Sequence, residues 1–514
     1  MKKNCNYVIL ILAFMGLSFW YAAFSNAAHD ETKTAPVTSV NKAPELSTFE
    51  TVSVTQHSIV LNNKTIYYTA TAGFLPLKDE SGKVEANVFF IAYVKKNVQG
   101  DPQRPVTFAF NGGPGAASMW LHMGGLGPKR VIMEAGGTIM PHKLQITDNE
   151  FTWLDVSDLV FVDPIGTGFS RAAPGVDTKK FYEVQEDIRV ASRFIRLYLT
   201  QNERWLSPLY IVGESYGTTR TAGVIDKLQS EFGIYPHGVI LISSVLDFQT
   251  VWSSSGNDLP YILGLPSCTA SAWYHKRLPA KLQVDLKKAM DEVETWSTSE
   301  YMTALAKGDR LTKEEEDRIA DKLVAYTGLS KTYILNNHLR ISNVQFAREL
   351  MRNEGRFLGS MDGRVLGVAT SRASEVEPFD PAFELTIVPY LATFNDYIRR
   401  DLKFETSLNY EYLPDEVRRA WKWSADGHYL NVSESLSRAM AANNRLRVFN
   451  VAGIYDLRTP YFGQRYTLNH LGLDESLRGN IIFMTYPTGH QIYTSQDVLK
   501  MFKTDISEFI TTGK

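Results

Sequence analysis

Cysteine is almost missing from this 514-residue sequence, which has 2, Cys5 and Cys268. Cys5 falls in an N-terminal apolar leader, so the rest of the chain holds Cys268 alone and can form no disulfide within itself. A fold of this length must then rest on a large hydrophobic core. Cys268, in the run Pro-Ser-Cys-Thr-Ala, has no neighbouring base or cation to activate a thiolate and reads as a small buried apolar residue. An excess of charge of one sign is missing as well: 54 Lys+Arg stand against 56 Asp+Glu, a net charge of −2. That balance offers no broad attraction to phosphate backbones or anionic lipid, and no nucleic-acid partner is expected. After Phe24 no apolar run matches the leader's length. H-E-x-x-H, zinc-spaced Cys/His clusters, the G-x-x-x-x-G-K-[ST] phosphate loop and a helix-opening G-x-G-x-x-G are all absent, so no metal and no other cofactor is expected. There is no fixed-period repeat either. With 12% aromatic and 21% charged residues, the chain is far from the composition of a disordered one.

The leader itself is informative. Lys2 and Lys3, an apolar run from Tyr7 to Phe24 and the small-residue exit Ser25-Asn26-Ala27-Ala28 read as a secretory signal over 1–28, cleaved after Ala27 or Ala28. An uncleaved anchor is the alternative. The protein is therefore expected to be exported, periplasmic or secreted, with no membrane association once the signal is removed. Residues 29–50, rich in Thr, Pro, Ser, Val and Ala without periodicity, read as a flexible segment.

From Gln56 to Lys95 two runs of β-branched and aromatic residues flank the turn-prone KDESGK. PVTFAF (105–110), DLVFVD (158–163), LYIV before Gly213 and GVILISS (238–244) are short apolar runs ending in glycine-rich or polar loops, as strands buried on both faces do. Between them residues 181–200 carry Phe181, Val184, Ile188, Ala191, Ile195 and Tyr198 at helical spacing. Strands alternating with helices predict a mostly parallel sheet with right-handed crossovers and helices on both faces. The rhythm stops after Asp247 and returns with RLRVFNVAG (445–453) and NIIFMTYPTG (480–489). The plan is a core in two parts, 51–247 and 444–514, interrupted by a mainly helical cap insertion over 248–443.

Functional loops of such a sheet gather at the carboxyl ends of its strands. Gly213-Glu214-Ser215-Tyr216-Gly217 matches G-x-S-x-G between an apolar strand and a helix, the context in which a serine is presented on a sharp turn. A serine needs a base to take its proton, and a carboxylate to hold the base. His490, in the loop after the last strand, fits the order serine, acid, histidine better than His122 or His428. Asp456 in VFNVAGIYD ends the preceding strand; Asp247 after GVILISSVL is the alternative acid. Asp163, which precedes the serine, reads as a loop organiser. Charge developing on the acyl oxygen calls for fixed donors, the N–H of Tyr216 and one from the glycine loop 112–115.

Together NGGPGAAS (111–118), GLGP (125–128), VDPIGTGFS (162–170), GESYG (213–217), AGIYD (452–456) and TGH (488–490) resemble the serine carboxypeptidase family of α/β-hydrolases, in a secreted, bacterial-type member. The resemblance covers most of 50–510. It implies an α/β-hydrolase fold with a helical cap, and a serine-type carboxypeptidase that cuts the C-terminal bond of a peptide substrate through an acyl-enzyme. Ser215, Asp456 and His490 would be the triad, Gly113 and Tyr216 the oxyanion donors, and Asn111 and Glu214 the carboxylate-binding residues. An esterase or acyltransferase on the same scaffold, or a catalytically silent peptide-binding protein, are the other readings. The chain departs from the family in lacking disulfides and in reading Gly453-Ile454-Tyr455-Asp456 where the family has G-D-x-D. A family glutamate is replaced by Gly125, so Glu214 loses a carboxyl partner, and a weaker, less acid-dependent hold on a substrate carboxylate is expected. Lys129 and Arg130, just past that loop, are expected to face solvent.

Overall fold

The computed structural model describes residues 49, 51–96, 103–423 and 427–512. The expected signal and, Phe49 apart, the expected flexible segment lie outside the described residues.

Residues 52–95 form three strands where the sequence suggested two: β1 (Val52–Leu61), β2 (Lys64–Lys78) and β3 (Val84–Lys95). The overlooked break is Asn62-Asn63, with φ of 49° and 60°. Two successive left-handed residues make the tight turn whose twist matches that of a hairpin, and asparagine tolerates the conformation. The remaining strands of the sheet are β4 (Val106–Phe110), β5 (Asp158–Val162), β6 (Arg171–Ala172), β7 (Leu209–Glu214), β8 (Gly238–Ile242), β9 (Arg447–Gly453) and β10 (Ile481–Tyr486). Their order is β1-β2-β3-β5-β4-β7-β8-β9-β10, with β6 paired to β3. Strands β5, β4, β7, β8, β9 and β10 run parallel. The β1-β2-β3 meander joins antiparallel to β5.

The principal helices are α1 (Val184–Gln201), α2 (Tyr216–Phe232), α3 (Leu259–Tyr274), α4 (Leu286–Trp296), α5 (Lys313–Thr327), α6 (Pro381–Arg400), α7 (Ser433–Ala442) and α8 (Gln496–Thr512). Strand residues divide between the two faces with a period of two. Phe108, Ile211 and Leu241 pack on one side against Ile188 and Phe194 of α1 and Val224 and Leu228 of α2. Ala109, Val212 and Ile240 pack on the other, against Phe394 of α6 and Phe502 and Phe509 of α8. This is the mostly parallel α/β sheet, covered on both faces, that the alternation of apolar runs implies.

The inserted span 248–443 divides in its packing. Helices α3, α4 and α5 close around a core of their own, with Leu265, Cys268, Val293, Trp296, Leu323 and Tyr326. In contrast α6 sends Tyr390, Phe394 and Tyr397 under the sheet, and α7 sends Leu436, Ala439 and Met440 onto its opposite face. Two sheet-covering helices therefore come from the stretch that reads in sequence as cap. A hairpin of Arg356–Leu358 with Leu366–Val368 also lies there, its strands too short to show alternation.

If the α3–α5 bundle holds a separate core, Trp296→Ala should cost about 3–5 kcal/mol locally. Amide hydrogen exchange should then rise across 259–358 while β7 and β8 keep their protection. Uniform loss of protection through the sheet would contradict the division.

Candidate active site at the carboxyl edge of the sheet

Ser215 is held between β7 and α2 with φ 58° and ψ −131°, a conformation that costs a non-glycine residue about 1–3 kcal/mol and persists only when its surroundings enforce it. They do so through close approach. A Cβ on Gly213 would lie 2.2 Å from the carbonyl oxygen of Gly217, and one on Gly217 would lie 2.5 Å from that of Phe110. A Cβ on Gly112 would lie 2.6 Å from Tyr216 N, so the loop after β4 runs directly against the amide that follows the serine. The Ser215 amide donates to Ile242 O at 2.9 Å, and Thr218 N donates to Ser215 O at 2.8 Å. Ser215 is half-buried, whereas its immediate neighbours are buried.

At the ends of β9 and β10, Asp456 and His490 are 0% and 2% exposed. Asp456 Oδ2 meets His490 Nδ1 at 2.7 Å and accepts from Thr459 Oγ1 at 2.8 Å. Its Oδ1 accepts from Arg458 N at 2.7 Å and Thr459 N at 2.9 Å. Four partners leave the carboxylate fully hydrogen-bonded, as a buried charge requires. Burial opposes protonation of His490, but the charge and hydrogen bond of Asp456 outweigh it, and the imidazole pKa stands above the ordinary histidine value. Ser243 Oγ, at the end of β8, donates to His490 O at 2.7 Å. Among the described residues Ser215 Oγ has no hydrogen bond, to His490 or otherwise; in free enzymes such contacts are often long and tighten around substrate.

Asn111 and Glu214, 2% and 3% exposed, are bonded to each other: Asn111 Nδ2 donates to Glu214 Oε2 at 2.9 Å. The same oxygen accepts from Tyr493 Oη at 2.8 Å. Tyr493 thus gives Glu214 a second hydrogen-bond partner, and a side chain at Gly125 would run into Leu499 Cδ2 at 2.4 Å. Chiefly through burial, the Glu214 carboxyl is pushed up to about 7. A second carboxyl is not needed for that shift.

Other side chains settle differently. Asp247 caps the turn that follows β8 by accepting from Gln249 N at 2.9 Å and, among the described residues, bonds to no histidine. Asp163 accepts from Ser118 N at 2.8 Å and orders the loop after β4; burial pushes it up to about 7. His122, bonded to Tyr93 Oη at 2.7 Å, is lowered to about 3 by burial. Lys129 pairs with Asp148 at 2.6 Å and Arg130 with Glu150 at 2.9 Å. Arg130 is buried rather than facing solvent, because Glu150 and the ring of Phe151 cover it. Sequence reading missed Tyr493, Thr459 and the buried pair of Arg220 Nε with Asp187 Oδ2 at 2.9 Å. Arg220 Nη1 also donates to Asn111 O at 2.7 Å and Tyr216 Oη to Asp187 at 3.1 Å, so this pair ties α1 and α2 to the loop after β4. Thr459 and Tyr493 each follow a catalytic candidate by three residues, the signal that could have found them.

A cleft of about 930 Å³ opens over Ser215, Tyr216, Gly113 and Thr459. One wall is aromatic: Phe248, Trp252 and Trp423 lie 4.6 to 5.2 Å apart between ring centroids, and Tyr216 lies 5.8 Å from Trp423. Among the described residues there is no His/Cys/Asp/Glu cluster able to hold a metal, and no helix long and apolar enough to cross a membrane.

A family model for serine carboxypeptidases matches residues 62–494. The chain belongs to the serine carboxypeptidase family. The pheromone-processing carboxypeptidase of Saccharomyces cerevisiae is 34% identical over 126 residues, 23% of this chain and 16% of that relative. Its counterpart from Komagataella phaffii is 29% identical over 188 residues, 35% of this chain and 27% of the relative. The chain therefore matches less than a third of the length of either. The crystal structure of a prohormone-processing carboxypeptidase from Saccharomyces cerevisiae superposes with a TM-score of 0.55 at 16% identity, covering 87% of this chain and 92% of that one; it bears on the fold. These relatives are yeast proteins and lend no support to the bacterial-type assignment.

Gly112→Ala places a Cβ on Tyr216 N. If that amide serves a developing oxyanion, kcat should fall about 100-fold or more. Steady-state kinetics with an unchanged kcat would show that the close approach is dispensable.

Proposed function

We infer that the protein is a serine-type carboxypeptidase whose Ser215, His490 and Asp456 release the C-terminal residue of a peptide. The observation that carries this reading is the buried 2.7 Å contact between Asp456 and His490 Nδ1, in a member of this family that also holds Ser215 on a strained turn. With Nδ1–H given to Asp456, His490 keeps Nε2 free as the base. Ser215 Oγ attacks the carbonyl carbon of the last peptide bond while Nε2 takes its proton. The oxyanion accepts from Tyr216 N–H and Gly113 N–H; Gly113, at φ 101°, lines the cleft. Collapse breaks the C–N bond, and His490 returns the proton to the leaving amine. Water, deprotonated by His490, then hydrolyses the acyl-enzyme and frees the serine.

Asn111 and Glu214, with Tyr493 behind them, are proposed to recognise the terminal carboxylate. Glu214 can donate to it only when protonated. The aromatic wall supports a large apolar side chain on the substrate. The 259–358 bundle is proposed to limit the cleft, and a signal over 1–28, with export, belongs to the same reading. Incubation with a peptide library and mass spectrometry of the products tests it: single residues lost from free C-termini are expected. Cleavage of esters or amides alone would move the assignment to an esterase.

Ser215→Ala and His490→Ala should each reduce turnover by several orders of magnitude, with the double variant hardly worse than either. Asp456→Asn should reduce it by about 10⁴-fold with the fold intact.

Because the Glu214 carboxyl stands at about 7, it is a donor below that pH and a repelling anion above it. KM for free-acid peptides should rise as pH passes upward through about 7, and Glu214→Gln should flatten that rise. A pH-independent KM in the unaltered enzyme would remove Glu214 from carboxylate recognition.

A further inference from the structure

The loop of the short hairpin, residues 359–365, touches both halves of the Asp456–His490 pair. Met361 O accepts from His490 N at 2.6 Å, Ser360 O accepts from Leu457 N at 3.0 Å, and Gly363 N donates to Tyr455 O at 2.9 Å. The loop thus bonds to the backbone on either side of Asp456 and to His490 itself. Approach is close enough that a Cβ on Gly489 would lie 2.4 Å from Asp362 Cβ. Two side chains fix this loop from opposite ends. Arg364 Nη1 donates to Pro487 O at 3.1 Å and lies over the ring of Tyr455 at 5.2 Å. Asp380 Oδ2 accepts from Ser360 N at 2.8 Å and Met361 N at 3.2 Å, as well as from Ser360 Oγ. Its other oxygen caps α6 by accepting from Ala382 N at 3.0 Å. Asp380 also forms part of the cleft wall.

We propose that Asp380 and Arg364 are positioning residues: through the 359–365 loop they set the orientation of Asp456 and His490, so that the inserted span completes the geometry of the acid–histidine pair. This rests on the function proposed above. A loop seated by main-chain hydrogen bonds on both strand ends transmits small displacements directly, and about 1 Å at a reacting group can change rate about 100-fold.

The test compares Asp380→Asn and Arg364→Gln in the full chain. Asparagine can keep the helix cap with its carbonyl, but it turns an amide N–H toward the donors of Ser360 and Met361. Glutamine removes both the hold on the Pro487 carbonyl and the ion pair with Asp362 without altering the cleft wall, and the unpaired Asp362 charge adds to the rise in the His490 pKa that loss of the Arg364 charge brings. Each variant should lower kcat about 10- to 100-fold with KM nearly unchanged. The acid limb of kcat/KM gives the discriminating readout. The charged groups facing His490 are Asp456, Glu214 and Arg458, and Asp362, paired with Arg364 at 2.6 Å, packs on Gly489 beside it. Asp380 lies 3.8 Å from Arg458, so losing its charge lowers the His490 pKa, whereas losing the charge of Arg364 raises it. Loosening the Asp456 contact lowers it in both, because burial then prevails. Both limbs moving to lower pH is the expected result; if only Arg364→Gln can be purified folded, its limb moving down carries the conclusion, and if only Asp380→Asn can, a lowered kcat at unchanged KM does. Limbs moving in opposite directions, an effect on KM alone, or wild-type kinetics in both would overturn the proposal. His490→Ala in parallel separates the two levels: if it stays active, the function proposed above fails and this inference with it.

Discussion

A serine with φ 58° at the junction of β7 and α2 imposes a steric limit that the rest of the site obeys. The turn is possible only because Gly213 and Gly217 let two backbones approach within the radius of a methyl group, and because Gly112 does the same from the neighbouring strand. Strain of this kind survives only in rigid surroundings. The sheet supplies them: β4, β7 and β8 are buried along their whole lengths. The Arg220–Asp187 pair fastens the first turns of α2 to α1 and to Asn111. Buried ion pairs are seldom net stabilisers, yet losing one partner leaves an uncompensated charge, so this one defines an arrangement more than it adds stability.

Burial also sets the electrostatics. It raises the carboxyls of Glu214, Asp163 and Asp187, and lowers His122. His490 goes the other way because an acid lies within hydrogen-bond distance. A carboxyl pushed up at Glu214 and an imidazole pushed up at His490 follow from one low-dielectric setting with different neighbours. Tyr493 serves this site twice: its hydroxyl satisfies the Glu214 oxygen, and its ring fills the room a side chain at Gly124 would need, as Leu499 does at Gly125.

What the sequence made legible was local and periodic. Apolar runs ending in glycine or acid marked β4, β5, β7, β8 and β9, and the chain order placed Ser215, Asp456 and His490 on one edge. Two kinds of feature escaped. The Asn62-Asn63 turn was hidden inside a run of uniformly strand-like residues, and α6 and α7 look like any amphipathic helix, since periodicity reports that a face is buried and not against what. Partners distant in sequence leave no spacing to read either: Tyr493 with Glu214, or Met361 with His490, meet only once the sheet is assembled.

The proposed chemistry depends on Ser215 being the activated nucleophile. The most direct measurement is labelling of the purified protein with a fluorophosphonate probe, followed by peptide mapping. A single adduct on the peptide containing Ser215, formed quickly in the unaltered protein and hardly at all in His490→Ala, is the predicted result. No adduct, or one on another residue, would contradict the account.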